Sequence, residues 1–464
     1  MDLPSLSRSA IPQFLIVALA AGMVAAVLFA PPVLGDGDSW WHLATGLWIL
    51  DHRSIPYADQ FSYTRSGQPW IAQEWLAQVL MAAAYRIAGW SGVMILFASA
   101  VAATTFLLGR HLRRWLPPLV VLPALIIALS LLSPSLLARP HLLALPVMEL
   151  WCAGLVIARA EDGPPPLPLL LLMVLWANLH GSFPVGLVFA ALLACEAALA
   201  DARRGGVWFG FVVLACLATL INPNGLAGTQ FPLRLIDSGA VADIIEWQPA
   251  RLQDLEPVFP VLLLLAYLLL VRGFRPRLWR ALILAGLVAE ALLHIRNQMV
   301  LGIVGVLTIA ADLGRLSGGP GAPDDRRMAL PALAVALVAL FGLRLAFPLV
   351  RGDDAVTPKT ALALVPPALR ARPVYNDAAL GGYLIFSGVR PFIDGRAELY
   401  GADFMRRYQA AITEPGPGLA RELEQYGVAW AIVATDSRAV PLFAAMPHWH
   451  RFYGDRHAVV FTRD

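Results

Sequence analysis

The stretch Gly35-Asp36-Gly37-Asp38-Ser39-Trp40-Trp41-His42 decides how this chain reads. It stands directly behind an apolar run, residues 12–34, that is long enough to cross a bilayer. Pro31-Pro32 removes a small-residue cleavage site from the end of that run, so it reads as a retained helix and not as a signal peptide. Two carboxylates thus sit two residues apart, on a glycine-rich backbone, at the mouth of a span. Such a pair, Asp36 and Asp38, can ligate a divalent cation (Mg2+ or Mn2+) or supply one general base. It can equally be a solvated turn before a helix, with Asp38 or Ser39 as N-cap. Apolar residues recur at 40, 43, 47 and 50, and at 41, 44 and 48. This spacing predicts a helix with a broad apolar stripe, suited to the membrane interface. A second such helix starts near Trp70. Glu74 opens it, either facing back toward Asp36 or serving as a first-turn charge.

The rest of the chain sets the context. Its 464 residues are 58% hydrophobic and only 14% charged, with a mean hydropathy of +0.65. Soluble domains carry about a quarter charged residues. This composition excludes a cytosolic globular protein and a disordered chain, and a net charge of +3 gives no field for nucleic acid. The fold class is an α-helical polytopic membrane protein with a C-terminal α/β domain. Further apolar runs fall near 91–109, 117–137, 141–158, 166–179, 183–200, 206–222, 257–271, 278–295, 298–314 and 329–350, which makes about eleven spans. With the N-terminus inside, the inner segments hold fourteen arginines and the outer loops before the C-terminal region seven. That asymmetry obeys the positive-inside rule. An odd span count puts the C-terminus outside. The stretch 71–90 reads as interfacial, because Gln73, Glu74, Gln78 and Arg86 interrupt it and Trp75 and Trp90 flank it.

Residues 1–350 therefore form a transmembrane domain whose first outer loop, 35–90, carries interfacial helices. Residues 351–464 form an extracytoplasmic α/β domain. Short strands are expected at VYND, YLIF, PFID, WAIVAT and HAVVFTR, and helices near 403–412, 418–426 and 437–445. Residues 318–327 read as a flexible inner loop. No internal repeat is visible. Cys152, Cys195 and Cys216 all lie in apolar runs, which argues against a disulfide framework.

Polar residues interrupt the apolar runs at their outer ends: Arg139-Pro140-His141, Asn178-Leu179-His180-Gly181, and His294 with Arg296-Asn297-Gln298. Ionisable groups at membrane depth usually face a cavity or a partner. Arg139, His180 and Arg296 are candidates to hold a phosphate headgroup, against interfacial snorkelling as the plain alternative. In the tail, Gly381-Gly382-Tyr383-Leu384 precedes Asp394-Gly395-Arg396-Ala397-Glu398. Asp394, Arg396 and Glu398, with Tyr383 and His42, are candidates for an acceptor or domain face. A local salt-bridge network explains the Asp-x-Arg-x-Glu cluster equally well. His448, His450 and His457 read as surface and strand residues.

Asp36-x-Asp38-x-Trp40-Trp41-His42-Leu43-Ala44-Thr45-Gly46, Pro56-x-x-Asp59-x-Phe61-Ser62 and Trp70-x-x-x-Glu74-Trp75-Leu76 resemble a group of bacterial polytopic membrane proteins. The later motifs Asn178-Leu179-His180-Gly181, Gly381-Gly382-Tyr383-Leu384 and Asp394-x-Arg396-x-Glu398-x-Tyr400 fit the same group. That group in turn resembles the GT-C glycosyltransferase superfamily. The resemblance implies many spans, an acidic residue in the first outer loop, two interfacial helices there and an outer C-terminal domain. By it, Asp36 or Asp38 matches the catalytic acid, and Glu74 is a second acid by position only. It implies a bacterial inner membrane location, with the N-terminus cytoplasmic and the C-terminal domain periplasmic. It also implies transfer of a sugar from a lipid-linked donor, such as a polyprenyl phosphate sugar, to an extracytoplasmic lipid, glycan or protein. Partners are then the donor and membrane lipids, with no nucleic acid. No Trp-Trp-Asp motif of the oligosaccharyltransferases occurs. The rival reading is a non-catalytic transporter or assembly partner. Transporters tend to place polar groups at midplane and to show repeats, whereas here the polar groups gather at the outer ends.

Overall fold

The structure is a computed structural model and describes residues 10–237, 239, 244–319, 329–414 and 416–464. Beyond Gly319, the loop expected over 318–327 lies outside them. The membrane part has thirteen helices among the described residues. They are α1 (Ala10–Phe29), α2 (Asp38–His52), α3 (Trp75–Leu112), α4 (Pro118–Leu132), α5 (His141–Ala160), α6 (Leu169–Leu179) and α7 (Phe183–Ala200). They continue as α8 (Ala202–Ala218), α9 (Gly225–Asp237), α10 (Val258–Leu270), α11 (Leu278–Leu293), α12 (Ile295–Leu316) and α13 (Ala329–Ala346). Each apolar run of the sequence falls on one of these. Among the described residues five helices are long and apolar enough to cross a membrane: α3, α4 with its extension to Ser135, α5, α7 and α12. The stretch 71–90 and the run after it form the single helix α3, broken at Ala88 and Gly89, where Gly89 takes φ +56°. Glycine alone adopts such a φ at little cost, so the chain changes direction there.

The core lies between α3, α5, α6 and α7. Trp151 and Trp176 are fully buried there, and Gly186 makes room for them. A Cβ on Gly186 would sit 2.5 Å from the Trp176 ring, and the Trp151 indole N–H donates to the Gly186 carbonyl at 3.0 Å.

The C-terminal part carries one four-stranded sheet, β1 (Val374–Asn376), β2 (Trp430–Ala434), β3 (Trp449–Gly454) and β4 (Ala458–Arg463), in the order β1-β2-β4-β3. β1 and β2 are parallel, and the other two pairings are antiparallel. The expected strand YLIF is instead the end of a helix, Ala378–Phe386, and PFID forms no strand. Four apolar residues fit both periods, and tertiary packing decides. Gly381 lies against the Ile393 carbonyl and Gly382 against the Gly37 carbonyl, directions about 100° apart on a helix but opposite on a strand.

Those contacts join the halves of the molecule. A Cβ on Gly37 would meet the Ala379 carbonyl oxygen at 2.2 Å, and one on Gly382 would meet the Gly37 carbonyl oxygen at 2.2 Å. The glycines before Asp38 therefore let the first loop press backbone to backbone on the C-terminal domain. Trp40 then anchors the junction. Its indole donates to Thr357 at 3.0 Å, the Arg351 guanidinium lies 4.4 Å over its ring, and Tyr383 packs on it edge-on at 5.0 Å.

Candidate active site

Asp38 starts α2, and its neighbours define its surroundings. Trp41, one turn on, donates its indole N–H to Asp38 Oδ1 at 2.9 Å. The second oxygen faces Arg139 Nη2 at 3.0 Å. Gly395, from the C-terminal domain, closes the far side: a Cβ there would sit 1.7 Å from Asp38 Oδ1. Asp36 is held differently. One oxygen accepts the Asp38 backbone N–H at 2.9 Å, and the other accepts from Arg139 Nε. Arg139 Nη1 also donates to Glu246 at 2.6 Å. One guanidinium thus serves three carboxylates. Desolvation with uncompensated negative charge disfavours ionisation. Burial, reinforced by Glu246, Asp394 and Glu398 and opposed by the Trp41 N–H, pushes the Asp38 carboxyl up to about 7.

Asp38 and Arg139 line a cavity of about 1060 Å3. Around its polar end stand His42, Glu74, His141, His180, Glu246, Arg296 and Glu398. Its other wall is apolar, built by Val185, Val188 and Leu192 of α7, Phe231 and Leu235 of α9 and Leu282 and Leu287 of α11. Arg296 lies 4.5 Å over the Trp247 ring and makes no ion pair among the described residues. A cation held by stacking keeps its N–H fork free for an anion.

Glu74 does not face Asp36, as the sequence reading allowed. It precedes α3 and meets two imidazoles, His180 Nε2 at 3.2 Å and His42 Nε2 at 3.6 Å. The Ser182 amide donates to His180 Nδ1 at 3.2 Å, so Nε2 carries the proton toward Glu74. Burial is the largest influence on all three groups. It keeps His42 and His180 neutral, well below the usual imidazole range. It raises the Glu74 carboxyl to about 8, with Glu398 adding to the rise and Arg296 opposing it.

The structure superposes on two kinds of solved membrane enzyme. One is the oligosaccharyltransferase AglB from Archaeoglobus fulgidus, in complex with an inhibitory peptide and a dolichol-phosphate. It aligns with a TM-score of 0.52 at 13% identity over 91% of this chain and 69% of that one. The other is ArnT from Cupriavidus metallidurans, with 15% identity over 97% of both chains. Its TM-score is 0.53 in the apo state and 0.50 when bound to undecaprenyl phosphate. The chain shares the fold of AglB and ArnT, both GT-C glycosyltransferases. Compared by sequence, the chain matches no family model and no curated protein.

Within this GT-C fold, Asp38, Glu74, His42, Arg139, His180, Arg296 and Glu398 come together on one cavity. Asp36 stands behind it, bonded to Arg139. Asp394, Arg396 and Tyr383 do not reach it. Arg396 is 0% exposed and Asp394 1%, so they form no ligand face. Arg396 holds Asp394 with two bonds of 2.8 and 2.7 Å and reaches Asp59 of the first loop at 2.7 Å. Tyr400 donates to Asp394 at 2.8 Å. Burial alone would raise the Asp59 carboxyl, but Arg396 and the Ser62 and Phe61 donors outweigh it and hold it below the usual range. The Asp-x-Arg-x-Glu cluster is therefore a buried clamp between the first loop and the C-terminal domain. Only Glu398 of that cluster turns to the cavity, bonded to the Trp70 indole at 3.0 Å.

Asp36 and Asp38 each place one oxygen on the Arg139 guanidinium, and among the described residues no group of three or more His, Cys, Asp or Glu is arranged to hold a metal ion. The cation that this carboxylate pair holds is Arg139. Sequence reasoning missed Glu246 and Trp247. Their signal was the pairing of an acid with a tryptophan in DIIEWQP, residues 243–249, in the polar stretch between the runs 206–222 and 257–271.

Proposed function

We propose that this protein is a membrane glycosyltransferase that moves a sugar from a polyprenyl-phosphate-linked donor to an extracytoplasmic acceptor. The observation that carries the reading is the shared cavity. One end holds Asp38, Arg139 and Arg296, and the wall beside it is apolar. A lipid-linked sugar phosphate has those two parts, an anionic head and an isoprenoid chain. AglB and ArnT, with the same fold, are described with dolichol-phosphate and undecaprenyl phosphate, and this supports the lipid-linked donor.

In this reading Asp38 accepts the proton of an acceptor hydroxyl or amine, for which a carboxyl raised to about 7 is suited. The acceptor atom bonds to the anomeric carbon as the bond to the phosphate oxygen breaks. Polyprenyl phosphate leaves, and Arg296 and Arg139 stabilise its charge as it develops. Asp36 and Glu246 hold the Arg139 guanidinium in place, and Glu74 with His42 and His180 lines the acceptor side. In this reading the eleven apolar runs, on α1, α3–α8 and α10–α13, cross an inner membrane, with the N-terminus inside and residues 351–464 on the outer face. Mass spectrometry of lipid-linked sugars and surface glycans, with and without the protein, tests the reading. A missing glycan with accumulation of its lipid-linked sugar supports it, and identical profiles contradict it.

A further inference from the structure

α5, α11 and α12 run between two cavities. The first is the Asp38 cavity, at the α5 start and the α11–α12 joint. The second, of about 310 Å3, lies at the other ends of the same helices. α5 alone has 20 residues, or about 30 Å at 1.5 Å per residue, which is the thickness of a bilayer core. The second cavity thus opens at the opposite membrane face.

Among the described residues its charged lining is three arginines, Arg277, Arg280 and Arg315, and one carboxylate, Asp312. Asp312 is already engaged by Arg315 and by the Arg277 backbone N–H at 2.9 Å. Arg280 is only 6% exposed. Its Nη2 meets Glu196 at 3.1 Å, while its Nη1 is buried with no hydrogen-bond partner. A buried, unpaired donor on a cation is costly, and an anion's oxygen in the cavity would satisfy it. Trp115 stands in the lining, as tryptophan does at membrane interfaces, which favours a lipid over a soluble anion.

We propose that this cavity binds the phosphate group of an anionic phospholipid in the leaflet opposite the Asp38 cavity. Arg280 donates from within, and Arg277 and Arg315 close around the headgroup from the rim. The site is separate from the proposed transfer.

The full-length protein in detergent, examined by native mass spectrometry, tests this. The probes are phosphatidylglycerol, phosphatidylcholine with the same acyl chains, and soluble glycerophosphoglycerol. The wild type retains phosphatidylglycerol about tenfold better than phosphatidylcholine, whose choline cation the three arginines repel. Arg280→Gln, Arg277→Gln and Arg315→Gln each reduce that preference, and Asp38→Asn leaves it unchanged. If Arg280→Gln does not fold, the two rim variants decide. Equal retention of both lipids by the wild type overturns the proposal, as does a preference that survives the substitutions. Displacement of the lipid by glycerophosphoglycerol at equal concentration overturns the lipid source in favour of a soluble anion.

Discussion

Asp36 and Asp38 share a residue type and a turn, yet their oxygens have different tasks. Asp36 spends one on a backbone N–H and one on Arg139. Asp38 faces the cavity with a carboxyl raised to about 7. As a base it works only when ionised, so transfer rises between about pH 6 and 8 with its midpoint near 7; a pH–rate profile checks this, and a flat profile would argue against Asp38. The same elevation has a stability consequence. The folded state holds this proton more tightly than the unfolded chain does, so the contribution is full below pH 3.8 and is lost as pH rises through about 7. Asp36→Asn weakens transfer less than Asp38→Asn, because it loosens one of three holds on Arg139; parallel rates of the two variants measure the difference. The Asp-x-Asp pair was legible in the sequence as chemistry. Which member faces the cavity was not, since that depends on Arg139, 101 residues beyond Asp38, and on Glu246.

At the scale of elements, the first loop and the C-terminal domain shape one another. Gly395 carries no side chain because Asp38 occupies that space. Gly395→Ala therefore displaces the Asp38 carboxylate and abolishes transfer, while the purified variant keeps the far-UV circular dichroism of the wild type. Periodicity made α2 legible, and the boundary drawn between the interfacial stretch 71–90 and the run 91–109 falls at the break in α3, whereas the role of Gly89 shows only in its φ of +56°. The helix Ala378–Phe386 does not, because YLIF alternates over too few residues for either period to show. The clamp of Asp59, Arg396 and Asp394 was one of two equal readings of its motif, and only burial separates them. Arg396→Met leaves two carboxylates buried without their cation. Breaking such a pair costs about 3–5 kcal/mol. The variant should show a lower thermal midpoint and faster proteolysis within residues 351–464.

The whole molecule is a helical membrane body with its polar cavity at one end, capped by an α/β domain. Composition alone made the membrane class legible, and the apolar runs all fell on helices. Sidedness follows from the arginine asymmetry and is tested directly. In a cysteine-free background, Glu424→Cys should react with a membrane-impermeant maleimide in intact cells, and Arg203→Cys should react only after lysis; both positions are exposed. The reverse pattern would invert the topology. The central claim is that Asp38 performs glycosyl transfer from a lipid-linked donor. Its most direct test compares wild type and Asp38→Asn, equally expressed and equally folded, by mass spectrometry of the glycans and lipid-linked sugars of their cells. The account predicts that the wild type restores a product absent from cells without the protein, and that Asp38→Asn loses it by about 100-fold or more while the lipid-linked sugar accumulates. An Asp38→Asn variant that makes the product as the wild type does would contradict it.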